Sequence, residues 1–472
     1  MVGQSEVPDD RLESAYRAGV IEEQPPPPPE ALAAAPPPTL PLAEPVALRG
    51  AVLAPGGAIE DGYVVVEGSQ IEAVVKARPE GVRVHETNGV IAPGLIDLHG
   101  HPEFNIFAAW EPPKQFINRY AWRGSDLYQE LVRDPQNHLL DVLPPKTQLR
   151  YAEIRALVGG VTAIQGTGGQ ATAYQDEALV RNVDKWIFGS QVGRALIDLP
   201  TPGSEFGMDS LRSILAGIEA GEVRAFYVHL AEGRSDNELS RGEFQKLVDL
   251  NALTPATVVI HGTALTKDEL ADLNDAGAKL VWSPQSNLRL YGETTRAADA
   301  LELELPMGLG ADWLPSGSTS LLAEMKVARR CIAEQRGREP TAKQLVDMVT
   351  RDAAMIAGLD DKLGRLERER PADLVVFERR EEDPWENVAQ ADPSWVELVM
   401  IGGNLVYGRA DWLPGLSADA NRDRLESLLA WGKPMLLDTS YAVPAAEEEQ
   451  PRLSELRAAL IAQYPQVGPI LA

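Results

Sequence analysis

Apolar residues recur along this chain in different rhythms, and each rhythm predicts a different kind of element. Between residues 46 and 90, short β-rich runs such as Ala51-Val52-Leu53, Tyr63-Val64-Val65-Val66 and Ile71-Glu72-Ala73-Val74-Val75 are separated by Gly-containing turns, which predicts strands. Similar material returns in Ala372-Asp373-Leu374-Val375-Val376-Phe377 and from Val396 to Val406. Two β segments flanking a long central region are expected to pair into one small sheet, which brings the chain back beside where it began.

The central region alternates helical patterns with short apolar runs, as repeated β-α units around a parallel sheet do. Helices are predicted over 146–157, 176–186 and 209–220, and strands over 161–166, 187–192, around His229, around His261, over 279–283 and over 307–312. With the run that ends at His101 these make seven strands, one short of a closed eight-stranded barrel, and 195–199 is the candidate eighth. The fold class is therefore α/β. Residues 102–144 lack a clean period and carry several aromatics, so they are expected to form an insertion over the barrel top, where barrel enzymes place substrate contacts. Beyond residue 412, helical patterns are read over 421–431 and 451–464; in the second, Leu453, Leu456, Leu460 and Tyr464 share a face expected to pack on the barrel.

Composition narrows the partners. Lys and Arg total 44 against 70 for Asp and Glu, and the net charge of −26 repels nucleic acid and anionic membranes. The one cysteine, Cys331, excludes an internal disulfide framework and a thiolate metal cluster, and its helical setting reads as core. With no secretory signal and no long apolar run, the expectation is a soluble cytoplasmic protein. Residues 1–43 hold Pro25 to Pro29 and Pro36 to Pro38, which favours a disordered, extended arm.

Of six histidines, four close apolar, strand-like runs and carry the chemistry, while His85 and His138 lack that setting. His99 and His101 close the run Ile91-Ala92-Pro93-Gly94-Leu95-Ile96-Asp97-Leu98-His99-Gly100-His101, and residues two apart on a strand point the same way, so the pair makes half of a divalent metal site. His229 and His261 close two further strand-like runs, and Asp312 closes the last. If strand ends gather at one face, His99, His101, His229 and Asp312 supply three nitrogens and a carboxylate, which suit one Zn²⁺, with Fe²⁺ next. A water in the remaining position would have its pKa lowered from about 15.7 toward 7. Glu232, three residues past His229, reaches a leaving nitrogen as a proton shuttle if the strand curls there. His261 either joins the metal or hydrogen-bonds a developing oxyanion, and the second role is favoured because four ligands are already in hand. Gly166-Thr167-Gly168-Gly169 lacks the spacing of a dinucleotide loop.

These motifs, together with His261-Gly262, Ser283-Pro284-Gln285-Ser286-Asn287-Leu288 and Gly310-Ala311-Asp312, resemble the amidohydrolase superfamily, in its branch of chlorotriazine hydrolases and purine or cytosine-type deaminases. The resemblance covers residues 45–412 and implies a (β/α)8 TIM-like barrel over 91–362 with a small β-sandwich built from 44–90 and 363–412; the helical patterns beyond it predict a C-terminal helical extension over 413–472. It implies that His99, His101, His229 and Asp312 bind one metal, that Glu232 shuttles protons and that His261 polarises the substrate. No lysine ends a middle strand, so a bridged two-metal centre is not expected. Asn105, Trp110, Arg119, Trp122 and Gln165 are the candidate substrate contacts. The expected activity is hydrolysis of a non-peptide carbon-nitrogen bond in a small molecule, with deamination of a heterocycle ahead of amide hydrolysis, in a protein that could form homo-oligomers. A metal-free scaffold and a dehalogenating or dealkylating hydrolase are the alternatives.

Overall fold

The computed structural model describes residues 42–144, 146–166, 178–201, 205–418, 425–439, 451–468 and 470. Residues 1–41 of the expected arm and 167–169 of the discounted glycine loop lie outside the described residues.

The N-terminal β material forms β1 (Val46–Ala54), β2 (Gly57–Glu67), β3 (Gln70–Val75) and β4 (Arg83–Pro93). The central region supplies β5 (Leu95–Asp97), β6 (Val161–Ile164), β7 (Arg181–Asn182), β8 (Gly193–Leu196), β9 (Ala225–Leu230), β10 (Thr257–His261), β11 (Lys279–Trp282) and β12 (Met307–Leu309). The return adds β13 (Leu374–Phe377), β14 (Val396–Ile401), β15 (Asn404–Arg409), β16 (Glu426–Ala430) and β17 (Lys433–Leu437).

The two flanks meet as expected. β4 pairs antiparallel with β13, Ile91 opposite Val376, inside one nine-stranded sheet ordered β16-β17-β15-β14-β13-β4-β1-β2-β3. One face of it buries Val46, Leu48, Val64, Ile91, Leu374, Val376, Leu398 and Met400 together.

The central strands form two parallel sheets, β12-β11-β10-β9-β8 and β5-β6-β7. Their outer edges touch where β5 and β12 end: Leu98 N–H donates to Leu309 O at 3.2 Å and Asp312 N–H to His99 O at 2.8 Å. Both faces are covered. Ile96, Leu98, Ala163, Ala225, Tyr227, Val258, Ile260 and Val281 share one buried cluster. The alternate residues Phe226, Val228, Val259, Leu280 and Trp282 belong to another, on the helical side. This period of two with burial on both faces is why β9 reads as a continuous apolar run.

Three expectations are corrected. The helix expected over 176–186 is absent from its described part, where 178–184 are all buried and contain only β7. A run with no solvent face suits a strand end, and Arg181 is tolerated because Asp373 takes its guanidinium at 2.6 and 2.9 Å. The strand expected over 187–192 is a tight turn, with Ile187 bridging Ser190 across Phe188 and Gly189, both at positive φ; the strand is β8 instead, overlapping the candidate eighth. The helix expected over 421–431 is, in its described part, the hairpin β16-β17. Trp431 and Gly432 have φ of 48° and 77°, the turn whose twist matches paired strands. The extension over 413–472 is thus not wholly helical. Its helix Leu453–Gln463 does form, buries Leu453, Leu456 and Leu460, and lies against helix Thr147–Val158.

Residues 102–144 are largely short helical turns, among them Arg119–Arg123 and Asp134–Val142. Helix Leu321–Arg336 buries Cys331. Among the described residues, no helix is long and apolar enough to cross a membrane.

Candidate metal centre

The strand ends do converge. Single ligand atoms of His99, His101 and His229 lie within 4.8 Å of one another, as do those of His99, His261 and Asp312, and of His229, Glu232 and His261. The His99 ring centroid is 5.0 Å from that of His101, 4.8 Å from His229 and 4.9 Å from His261. Asp312 Oδ1 sits 3.2 Å from His99 Nε2 and 3.6 Å from His101 Nε2.

Strand alternation alone does not give this arrangement. From the inner-face residues Ala225, Tyr227, Val258 and Ile260, a strict period of two sends Glu232 and His261 toward the helical layer. Ala231 at φ 51° and His261 at φ 67° break the alternation in the left-handed region, which costs about 1–3 kcal/mol per residue and persists only where surrounding structure enforces it. Asp312 shares that conformation at φ 60°. The enforcement at Ala231 is visible: its N–H donates to Glu243 Oε2 at 2.7 Å.

Each group is held by a partner of its own. Asp97 Oδ1 accepts from His99 N–H at 3.3 Å and Ala311 N–H at 3.1 Å, clamping the two strand ends together. Burial raises the Asp97 carboxyl to about 7, against these two N–H donors. Asn287 Oδ1 takes His261 Nδ1 at 2.9 Å while its amide nitrogen faces Thr295 Oγ1 at 3.2 Å, so Nδ1 carries the proton and Nε2 faces the centre. Tyr291 donates to Glu232 Oε1 at 2.5 Å and accepts from Trp122 Nε1 at 2.8 Å.

Burial, reinforced by neighbouring imidazoles, lowers His101 to about 3 and His229 well below its ordinary range; His261 is also lowered, against the pull of Glu232. Burial opposes charge on His99 and Asp312 as well, but their mutual attraction wins, raising His99 and lowering Asp312. Neutral imidazoles are the ligand-competent form. His99 Nδ1, His229 Nδ1 and Glu232 Oε2 are buried without a hydrogen-bond partner. Orphaned buried polar atoms are costly unless a further group satisfies them, and imidazoles with a carboxylate fit a divalent cation of the zinc type.

The candidate substrate contacts lie differently. Arg119 is 1% exposed and fully engaged, with Nε to Asp198 at 2.7 Å and Nη1 to Glu243 at 2.7 Å, so it braces the Ala231 turn. Asn105 accepts from Leu314 N–H at 2.8 Å and fixes the loop beyond Asp312. The Gln165 amide, oriented to donate to Leu98 O at 3.1 Å and accept from Gly166 N–H at 3.0 Å, is taken up by backbone. Trp110 meets Trp313 edge-on at 5.1 Å and Trp122 meets it tilted at 5.4 Å, and the Trp313 ring lies 6.4 Å from His101. Trp313, Tyr291, Asn287 and Asp97 are neighbours that no spacing in the sequence singles out, although Asp97 stands two residues before His99 and Asn287 lies in the run Ser283-Pro284-Gln285-Ser286-Asn287-Leu288.

Residues 209–406, which hold His229, Glu232, His261 and Asp312, match the model of the amidohydrolase family. A 5-methylthioadenosine/S-adenosylhomocysteine deaminase from Teredinibacter turnerae is 24% identical over 64% of this chain and 74% of its own length. An adenosine deaminase from Xanthomonas campestris with bound zinc superposes with a TM-score of 0.58 at 17% identity, covering 77% of this chain and 93% of the other. A mutant of atrazine chlorohydrolase from Arthrobacter aurescens complexed with zinc and atraton does so with 0.60 at 16%, covering 76% and 95%.

Proposed function

We propose, for a chain whose resemblance to the amidohydrolase superfamily is borne out by the family match over residues 209–406, a zinc-dependent aminohydrolase that removes an amino group from a small heterocycle. The observation that carries this reading is the gathering of four histidines, Asp312 and Glu232 in three overlapping groups, all buried but the half-buried His101, with partnerless polar atoms among them. The two parallel sheets act as one (β/α)8 barrel over 91–362. The nine-stranded sheet is its sandwich companion, built from 44–90, 363–412 and the β16-β17 hairpin. The acidic balance and single cysteine support a soluble, cytoplasmic enzyme.

His99, His101, His229 and Asp312 hold the cation, Zn²⁺ before Fe²⁺. When bound, it acidifies water and makes a nucleophile available near neutral pH. Glu232 accepts the proton on Oε2 and returns it to the leaving nitrogen, so ammonia departs neutral. His261, with its proton fixed on Nδ1 by Asn287, offers Nε2 as an acceptor 3.7 Å from Glu232 Oε2, which suits the metal-joining role rather than donation to an oxyanion. The rings of Trp313, Trp122 and Trp110 close the apolar side and keep bulk water out.

The test is zinc analysis by mass spectrometry followed by an ammonia-release screen, starting with 5-methylthioadenosine and adenosine and extending to guanine, cytosine, triazines and cyclic amides. About one zinc per chain and ammonia from one ring class are expected, both lost in His229→Asn. A protein without zinc after metal-replete expression would establish the scaffold alternative, and chloride or alkylamine release in place of ammonia the dehalogenating or dealkylating one.

A further inference from the structure

We infer that Tyr291 is a positioning residue for the proton shuttle: it pins Glu232 Oε1 so that Oε2 alone is left to exchange protons. The inference deepens the aminohydrolase reading and rests on it. Glu232 is 2% exposed and Tyr291 fully buried, so neither has water to fall back on. The direction of each hydrogen bond between them is settled by chemistry. An indole N–H can only donate, so the Trp122 contact at 2.8 Å makes the Tyr291 oxygen an acceptor there, and its single proton goes to Glu232 Oε1 at 2.5 Å. Burial, with the nearby Glu232 charge, pushes the phenol well above its ordinary value, so it stays a donor.

The two carboxylate oxygens are therefore unlike. Oε1 is held by the phenol, while Oε2 is buried without a partner and faces His261 Nε2 at 3.7 Å. A proton taken up by Glu232 goes to the free oxygen, on the side of the histidines. Helix Pro284–Tyr291 builds this arrangement from one face: Asn287 and Tyr291 are four residues apart, the first fixing His261 and the second Glu232. Gly292, at φ 71°, ends the helix directly behind Tyr291. The Trp122 contact ties the same phenol to the insertion, so the placement of that segment and the aim of the carboxylate are linked through one hydroxyl.

The experiment combines a double-mutant cycle of Tyr291→Phe and Glu232→Gln in the zinc-loaded full chain with a substrate-free measurement. With 5-methylthioadenosine as probe, Tyr291→Phe is expected to lower kcat about 10- to 100-fold, a fraction of the 10²–10⁴ that positioned acid–base groups contribute. KM is expected to stay within about twofold and zinc content to be unchanged, because the ligands do not touch the phenol. In the Glu232→Gln background the same change should cost nothing further. In 3-fluorotyrosine-labelled protein, the ¹⁹F resonance missing from Tyr291→Phe should shift in Glu232→Gln. An equal loss of kcat in both backgrounds, or a fluorine signal indifferent to residue 232, overturns the inference. If wild type releases no ammonia from any compound of the screen, the aminohydrolase reading fails by itself, and the fluorine measurement still decides whether Tyr291 holds Glu232.

Discussion

Replacing Gly310 by alanine tests whether the metal centre depends on the close approach of β12 to β5. A Cβ built on residue 310 would lie 2.5 Å from His99 N and 2.8 Å from His99 Cα, and closer still to its Cβ. Ordinary van der Waals contact begins near 3.4 Å. The strand ends must therefore separate by about 1 Å, and the obstacle is largely backbone, which cannot swing aside. Metal-ligand bonds hold to about ±0.2 Å around 2 Å. A displacement of this size between His99 on one strand end and Asp312 on the other exceeds that tolerance several-fold, and it also strains the Asp312 N–H to His99 O bond at 2.8 Å. Gly310→Ala is expected to weaken zinc binding at least 10- to 100-fold, the range seen when groups supporting ligands are lost. Competition with a chromophoric chelator measures this, with circular dichroism confirming the fold. Gly56→Ala is the control, since a Cβ there meets nothing within 4 Å. Unchanged zinc affinity in a folded Gly310→Ala protein would refute the geometry of this centre.

Arg119→Met should destabilise the protein by about 3–5 kcal/mol in urea titrations, because Glu243 and Asp198 lose a buried counter-charge; Glu243→Gln in the same chain should recover part of the loss. Glu324 is buried, and burial lifts its carboxyl to about 8 against a reference of 4.5. The folded chain keeps this proton between those two values while the unfolded chain does not. Its contribution to stability is thus complete below about pH 4.5 and falls away as pH rises toward 8. Glu324→Gln should flatten the decline in urea midpoint between pH 5 and pH 8, and parallel declines in the two proteins would count against the buried neutral acid.

The sequence by itself determined the parts whose physics is local. Consecutive apolar residues marked β9, β10 and β11, since a strand between two layers is written that way, and the β-rich runs of 46–90 and 372–406 announced the shared sheet. The scarcity of histidines and their places at strand ends singled out the residues that gather in the centre. The hairpin β16-β17 escaped because its signal is a two-residue turn at Trp431 and Gly432, while Glu426 to Ala430 also suits a helix. Arg119 looked like a pocket residue because nothing near it in the chain reveals Asp198 or Glu243, 79 and 124 positions away. Only the tertiary structure decided which way Glu232 and His261 face, and which oxygen of Glu232 is free. Those choices depend on left-handed turns at Ala231 and His261 and on a phenol from another helix, and energies of that kind are set by contacts between distant segments rather than by neighbours along the chain.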